Sequence, residues 1–530
     1  MCLQITPAKP VTSSSTTAPL LDHANAPAVG FIVLIAGAKL LLHLLLSGRY
    51  GYFRDELYYL DCGRHLAWGY VDHAPLIGLV ARMALMLGGS LRVLRLIPAI
   101  EGALVVVLTM LIAWRMGGDR FAQGLAGLCA LVVPIYLALD SIMTMNALEP
   151  VLWMSSIYLL VRIIQTGNSR LWAWFGLFAG VGLMNKHSTA FFGLAVVLGL
   201  LLTRLRGEFA KRWIWIGALI AILIFLPNLL WQVQHSFPTL EDLHNVRVSG
   251  KNVVLPPFKF IAQQILIMNP IVFPVWLGGL WFLLVGKGTK YRPLGWIFVS
   301  FFAMMMVLHG KDYYLAPIYP MALAAGAVAT EQALRSWNFS AEKLWPEAVI
   351  ICVILGTSTL IAPLVLPLFS PDNYIAYASR IGFKPAKQEV HHKSLLPQVF
   401  ADQFGWPELV AQVATVYNSL PPETRSKTAI VAGNYGEAGA IDLFGPKYQL
   451  PPAISGHQTY YYWGTHGTTP ENVITLQYSA RYLGEICDSV QEVATHFHPW
   501  GMAEENDRIY FCRGLKRPLQ EVWPDQKHWN

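Results

Sequence analysis

The sequence predicts a polytopic α-helical membrane protein of about eleven spans, with interfacial helices in the first external loop and a C-terminal extracytoplasmic α/β domain. Three observations predict it. The 530 residues are 54% hydrophobic and only 13% charged, with mean hydropathy +0.43, whereas a soluble chain is about a quarter charged. Apolar windows long enough to cross a bilayer recur from Ala28 to Leu368. After Ser370 the composition turns polar, and strand and turn signals replace the apolar runs.

Taken in order, residues 1–27 are rich in Ser, Thr and Pro and read as a disordered cytoplasmic segment without the h-region of a signal peptide. The membrane domain, 28–369, holds apolar spans at 28–47, 93–114, 121–139, 147–165, 171–185, 188–205, 213–231, 262–285, 293–309, 315–332 and 346–368. Leu76–Leu87 is apolar but short and carries Arg82, which suits a helix lying on the interface. Within 370–530, "SKTAIVAGNYGEAGAIDLFGP" reads as strand, turn and helix. "NVITLQY" and "DRIYFCRG" read as strands, with a helix between them around Leu483 to His496. The aromatics of "TYYYWG" read as strand core, and "GNYGEAG" is too loose a Gly-rich turn to be a nucleotide site.

Charge placement sets the topology. Loops carrying Arg115 and Arg120, Arg162 and Arg170, Arg204 to Arg212, Lys287 to Arg292, and Arg335 and Lys343 are short and basic, hence cytoplasmic. The alternate set, 48–92, 140–146, 185–187, 232–261, 310–314 and everything after Phe369, is then external. The first external loop breaks the pattern with Arg49, Arg54, Arg64, Arg82, Arg92 and Arg95, read as functional positive charge. Cys487 and Cys512 lie in the external domain, where a disulfide and two free thiols are both open. No basic tract interleaved with aromatics points to nucleic acid.

With that topology, the costly polar groups gather at the external ends of spans: Asp55 and Glu56, Asp140, Asn146 and Glu149, Asn185, Lys186 and His187, His235 to His244, and "HGKDYYLAPIYP" from His309. An ionisable side chain at membrane depth costs at least about 2.5–3.5 kcal/mol, so a convergence at one depth marks a site. Carboxylates suit proton abstraction. Lysine and arginine suit a departing phosphate. Together they are the apparatus for moving a sugar from a lipid-linked phosphate to an acceptor hydroxyl.

"FRDELYYLDCGRHLAWGYVDHAPL" resembles the first-loop signature of the GT-C glycosyltransferases, the family 39-type group related to protein O-mannosyltransferases and the aminoarabinose transferase of lipid A. The resemblance continues through "TMNALEPVLW", "NKHS", "PNLLWQVQHSFPTLE", "GKDYYLAPIYP" and "NYGEAGAIDLFGPKYQLPPAISGH". It implies a GT-C-like membrane domain, a polyprenyl-phosphate-linked sugar donor, a lipid, glycan or protein acceptor, and a multi-pass location in the plasma (inner) membrane. It implies Asp55 as general base, with Glu56 and Glu149 completing the catalytic set. Lys186 and Lys311 would hold the carrier phosphate with help from Arg54. Tyr58, Tyr59, Tyr313 and Tyr314 would line the sugar or lipid path, with Asp72, His73, Asn146 and His309 also binding substrate. Two departures stand out: many relatives carry an acid where Asn146 stands, and Ala74 replaces the first proline of the D-H-P-P-L pattern. Metal dependence is not readable, so no cofactor is assigned and a divalent metal stays open.

Plainer readings stand beside these. Asp55 and Glu56 could pair with Arg49 or Arg54, Lys186 could snorkel from a helix end, Lys311 could pair with Asp312, and the histidines could be ordinary loop residues. A secondary transporter would instead show repeated halves and midplane charges. A non-catalytic protein that binds lipid-linked glycans would need no base. The glycosyltransferase reading requires that Asp55, Lys186 and Lys311, remote in sequence, meet in one hollow.

Overall fold

A computed structural model describes residues 26–336, 345–385, 387–390 and 393–530. Of the disordered segment expected at 1–27, residues 1–25 lie outside the described residues, as does the basic Lys343. Each apolar window of the sequence falls on helix. Among the described residues, five helices are long and apolar enough to cross a membrane by length and composition: Val29–Leu46, Leu91–Arg115, Met145–Thr166, Arg212–Gln234 and Trp345–Val365.

Three windows fold less simply than their hydropathy suggests. The segment 121–139 breaks at Val133 into Arg120–Val132 and Pro134–Leu139, because Pro134 supplies no backbone donor to the preceding turn. Segment 188–205 ends its helix at Leu201 and turns by 110° into Arg204–Ala210. Segment 262–285 is two helices, Pro257–Ile267 and Phe273–Leu284. Between them Asn269 takes a left-handed φ of 63° and its side chain donates to Ser358 Oγ at 3.1 Å, with Pro270 following.

The loops read as basic meet one another. Gln165 Nε2 donates to the Tyr291 hydroxyl at 2.9 Å, Tyr291 donates to the Arg115 carbonyl, and Arg335 pairs with Asp119. Glu208 accepts from Ser169, Trp172 and Lys211.

The C-terminal region forms a five-stranded sheet in the order β2-β1-β3-β5-β4. Here β1 is Thr428–Val431, β2 Ala453–Ile454, β3 Asn472–Leu476, β4 Cys487–Thr495 and β5 Arg508–Leu515. β1 runs parallel to β2 and β3, and β5 runs antiparallel to β3 and β4. The strand–turn–helix reading holds as β1 followed by the helix Tyr435–Phe444.

Two expectations are corrected. The stretch Leu483 to His496 is helical only to Ile486; from Cys487 it is the edge strand β4. Its β-branched residues (Val490, Val493 and Thr495) suit a strand, and Cys487 is disulfide-bonded to Cys512 of β5. "TYYYWG" is a helical turn, Tyr460–Trp463, rather than strand core.

The loop that follows the first apolar helix is part of this domain's core. Leu57, Tyr58 and Leu60 of the helix Arg54–Arg64 are buried with Ile430, Ile441, Ile474 and Trp406. Glycine makes the approach close: a Cβ on Gly439 would sit 2.9 Å from Leu57 backbone, and one on Gly436 would meet Arg54 Cγ at 2.5 Å. The Gly-rich "GNYGEAG" thus serves helix-to-helix contact.

Candidate active site

The helix Arg54–Arg64 opens with Asp55 and Glu56, where carboxylates favour the positive end of the helix dipole. Successive helical residues point about 100° apart, so the two acids face different surroundings. Glu56 is fully buried. It accepts from Phe53 N at 2.9 Å, Met143 N at 2.8 Å, and Arg95 Nε and Nη2 at 3.0 and 2.9 Å. Arg95 also donates to the carbonyls of Ser47 and Gly51 and to Gln403 Oε1. The structure thus gives Glu56 a closed, fully satisfied ion pair and no contact with Asp55's partners.

Asp55 is half-buried and open on one side. Its Oδ1 accepts from the Tyr435 hydroxyl at 2.8 Å, and its Oδ2 has no hydrogen-bond partner among the described residues. Tyr435 begins the helix Tyr435–Phe444, whose N-terminus is capped by Asn434 Oδ1 accepting from Gly436 N and Glu437 N. Sequence reasoning missed Tyr435. It lies 380 positions from Asp55, and nothing local announces the contact.

A second cluster forms where Met145–Thr166 and Leu171–Asn185 end. Lys186 Nζ donates to Asn146 Oδ1 at 2.7 Å and pairs with Glu149 Oε2 at 3.3 Å; Glu149 Oε1 accepts from Ser188. The same ammonium lies 4.2 Å from the Tyr314 ring centre and 6.0 Å from that of Tyr313. Lys311 Nζ lies 6.0 Å from the Tyr313 ring. Tyr313 is thus equally distant from both lysines. Burial, Tyr314 and the Asp55 carboxylate push its hydroxyl well above its ordinary range, so Asp55's charge reaches this cluster too.

The remaining first-loop residues pack around Asp55. The Tyr58 hydroxyl donates to Asp72 Oδ1 at 2.8 Å, and its ring lies 4.9 Å from that of Tyr435. Burial pushes the Asp72 carboxyl up to about 7; Tyr58 and Lys251 oppose the rise and Asp55 adds to it. Burial lowers His73 to about 4, so its ring is neutral, with Nδ1 beside the Ala74 carbonyl and Tyr59 edge-on to it at 5.2 Å. His309 is exposed and has no side-chain partner among the described residues.

The positive charge of the first loop is less available than expected. Arg95 is consumed by Glu56, and Arg64 by Asp61. Arg54 pairs with Glu504 at 3.0 Å, with Glu389 and Asp402 at 3.8 and 4.0 Å. Arg64 and Arg95 are paired with acids of the first loop's own helix, whereas acids from distant segments neutralise Arg54, which the loop's own sequence could not show. Glu389 is pushed up by burial, but Arg54, Lys251 and Lys311 outweigh that and hold its carboxyl below its usual range.

Lys39 was also missed, though a lysine inside an eighteen-residue apolar helix is a readable signal. It pairs with Asp140 at 2.8 Å, both buried, and donates to the Tyr136 carbonyl. Among the described residues no group of three or more His, Cys, Asp or Glu is arranged to hold a metal ion.

A family model described as dolichyl-phosphate-mannose-protein mannosyltransferase matches residues 72–231. Lipid A galacturonosyltransferase RgtD from Rhizobium johnstonii is 25% identical over 323 residues, an alignment covering 59% of this chain and 66% of the relative, just under two thirds of its length. ArnT from Cupriavidus metallidurans bound to undecaprenyl phosphate superposes with a TM-score of 0.59, at 16% identity, over 91% of this chain and 98% of that one. The chain is thus similar to glycosyltransferases of the GT-C type, in sequence over part of its length and in fold over nearly all of it. Its fold also resembles arabinofuranosyltransferase AftD from Mycobacteria, with TM-score 0.51 and 13% identity over 93% of this chain and 40% of that chain.

Proposed function

We propose that this glycosyltransferase is inverting, and moves a sugar from a polyprenyl-phosphate-linked donor to an envelope acceptor (lipid, polysaccharide or protein) at the outer face of a prokaryotic plasma membrane. One observation carries the reading: Asp55 keeps an open oxygen and its charge acts on Tyr313, whose ring centre lies 6.0 Å from the ammonium of both Lys186 and Lys311. Tyr435 fixes Oδ1, so Oδ2 takes the proton of the acceptor hydroxyl. The acceptor oxygen attacks the anomeric carbon as the bond from that carbon to the phosphate oxygen breaks, which inverts the configuration. Negative charge grows on the leaving phosphate, and Lys186 and Lys311 stabilise it. Glu149 and Asn146 hold the Lys186 ammonium in place. Tyr58, Tyr59, Asp72 and His73 shape the wall around Asp55, and the Tyr313 ring faces both cations.

The ArnT structure with undecaprenyl phosphate supports a polyprenyl-phosphate carrier. The eleven-span topology puts residues 370–530 outside the cell, and the Cys487–Cys512 bond supports an oxidising compartment for them. In this reading the external domain covers the reaction centre and brings Tyr435 to it.

The test is to supply the purified chain with a polyprenyl-phosphate-linked sugar and envelope extract and determine the anomeric configuration of the product by NMR. Inversion is expected. Retained configuration, or no consumption of any such donor, would overturn the mechanism.

A further inference from the structure

Next to Asp55, a cleft of about 500 Å³ opens between the membrane domain and the sheet. Its floor is the carboxyl end of the three parallel strands: Gly433 and Asn434 follow β1, His457 follows β2 and Gln477 follows β3. From β1 the chain crosses to β2 on one side, then returns past β1 to β3 on the other. In open α/β sheets, ligands bind outside the strand carboxyl ends where the strand order reverses. The opposite wall comes from Arg54, Lys251 and Glu389.

The lining selects a ligand class. Three carboxylates, Glu389, Glu504 and Asp507, face two cations, Arg54 and Lys251, beside the Gln477 amide. Carboxylates in excess repel a phosphate or another anion. An apolar ligand would strand these polar groups without partners. A polyol satisfies both kinds, because each hydroxyl donates and accepts. The volume lies in the range of small-molecule sites and does not admit a folded polypeptide. Arg54 borders the cleft, and the cleft-lining ring of His457 stacks 5.0 Å from that of Tyr435, the residue bonded to Asp55. The cleft therefore borders the residues that adjoin Asp55 in sequence and in space.

We infer that this cleft is the subsite for a saccharide portion of the acceptor, which names the acceptor as a glycan or a glycan-headed lipid. The inference rests on the glycosyl-transfer reading above. To test it, the full chain in lipid nanodiscs is titrated with free glucose, galactose and mannose and, separately, with inorganic phosphate. Amide hydrogen exchange is followed across 433–437, 457–459 and 477. A hexose should slow exchange there and phosphate should not. Asp507→Asn and Lys251→Gln should each raise the half-protection concentration about tenfold while the thermal midpoint holds.

Protection by phosphate, no protection by any hexose, or protection indifferent to both variants would overturn the saccharide site. Absence of hexose protection in a chain whose transfer depends on Asp55 would strike the inference alone. Hexose protection in a chain whose transfer ignores Asp55 would strike the catalytic reading and leave the subsite standing.

Discussion

Asp55 and Glu56 adjoin in sequence and belong to two different polar regions. On the Glu56 side, every charge has a partner. Arg95 grips Glu56 in two places, Met143 N closes the carboxylate, and Lys39 holds Asp140 three residues earlier. Both pairs secure the segment that leads into Asn146 and Glu149. On the Asp55 side, one carboxylate oxygen is open, Lys311 approaches a tyrosine ring, and Lys186 faces Tyr314 while Glu149 and Asn146 hold it. The closed region spends its charges on geometry, whereas the open one leaves valences for a substrate. Buried pairs of the first kind tolerate no loss of a partner. Groups of the second kind tolerate it structurally and fail chemically.

That contrast can be broken from either side. Arg95→Met leaves Glu56 buried and unpaired, which should cost about 3–5 kcal/mol of stability. Denaturant or thermal unfolding in detergent would read it, and a variant as stable as wild type would erase the distinction. Lys311→Gln should leave the thermal midpoint close to wild type while weakening polyprenyl-phosphate binding about 10- to 100-fold, the scale of one charge-assisted hydrogen bond. Loss of fold instead would move Lys311 into the closed class.

The smallest effect concerns Asp402, which is buried with no hydrogen bond to either oxygen among the described residues. Burial raises its carboxyl to about 7, with Arg54 opposing. Its folded value lies above the ordinary 3.8, so the folded chain holds the extra proton between about pH 4 and 7. The stability this group costs is absent below that window and grows as pH rises through it. Asp402→Asn should flatten that part of the thermal-midpoint profile; an unchanged slope would assign the pH dependence elsewhere.

Much of this was legible in the sequence, and for reasons that also explain the misses. Apolar windows found helix everywhere because hydropathy reports burial in lipid directly. It does not report breaks, so Asn269 and Pro270 divided a segment read as one. In the α/β domain, β4 was misread because an edge strand with mostly solvent-facing side chains loses its apolar alternation. The site motifs named Asp55, Asn146, Glu149, Lys186 and Tyr314 because idle charge near lipid is costly, and the fold brings Asn146, Glu149 and Tyr314 to Lys186. They paired Glu56 with Asp55 although helical geometry already separates adjacent residues. Contacts across 380 positions, such as Tyr435 on Asp55, need the fold itself.

The most direct measurement compares wild type with Asp55→Asn in the same nanodiscs, reading sugar transfer and polyprenyl-phosphate binding side by side. The account predicts a loss of about 10²–10⁴ in turnover, with carrier binding and thermal midpoint retained. Transfer that survives the substitution at the wild-type rate would contradict it.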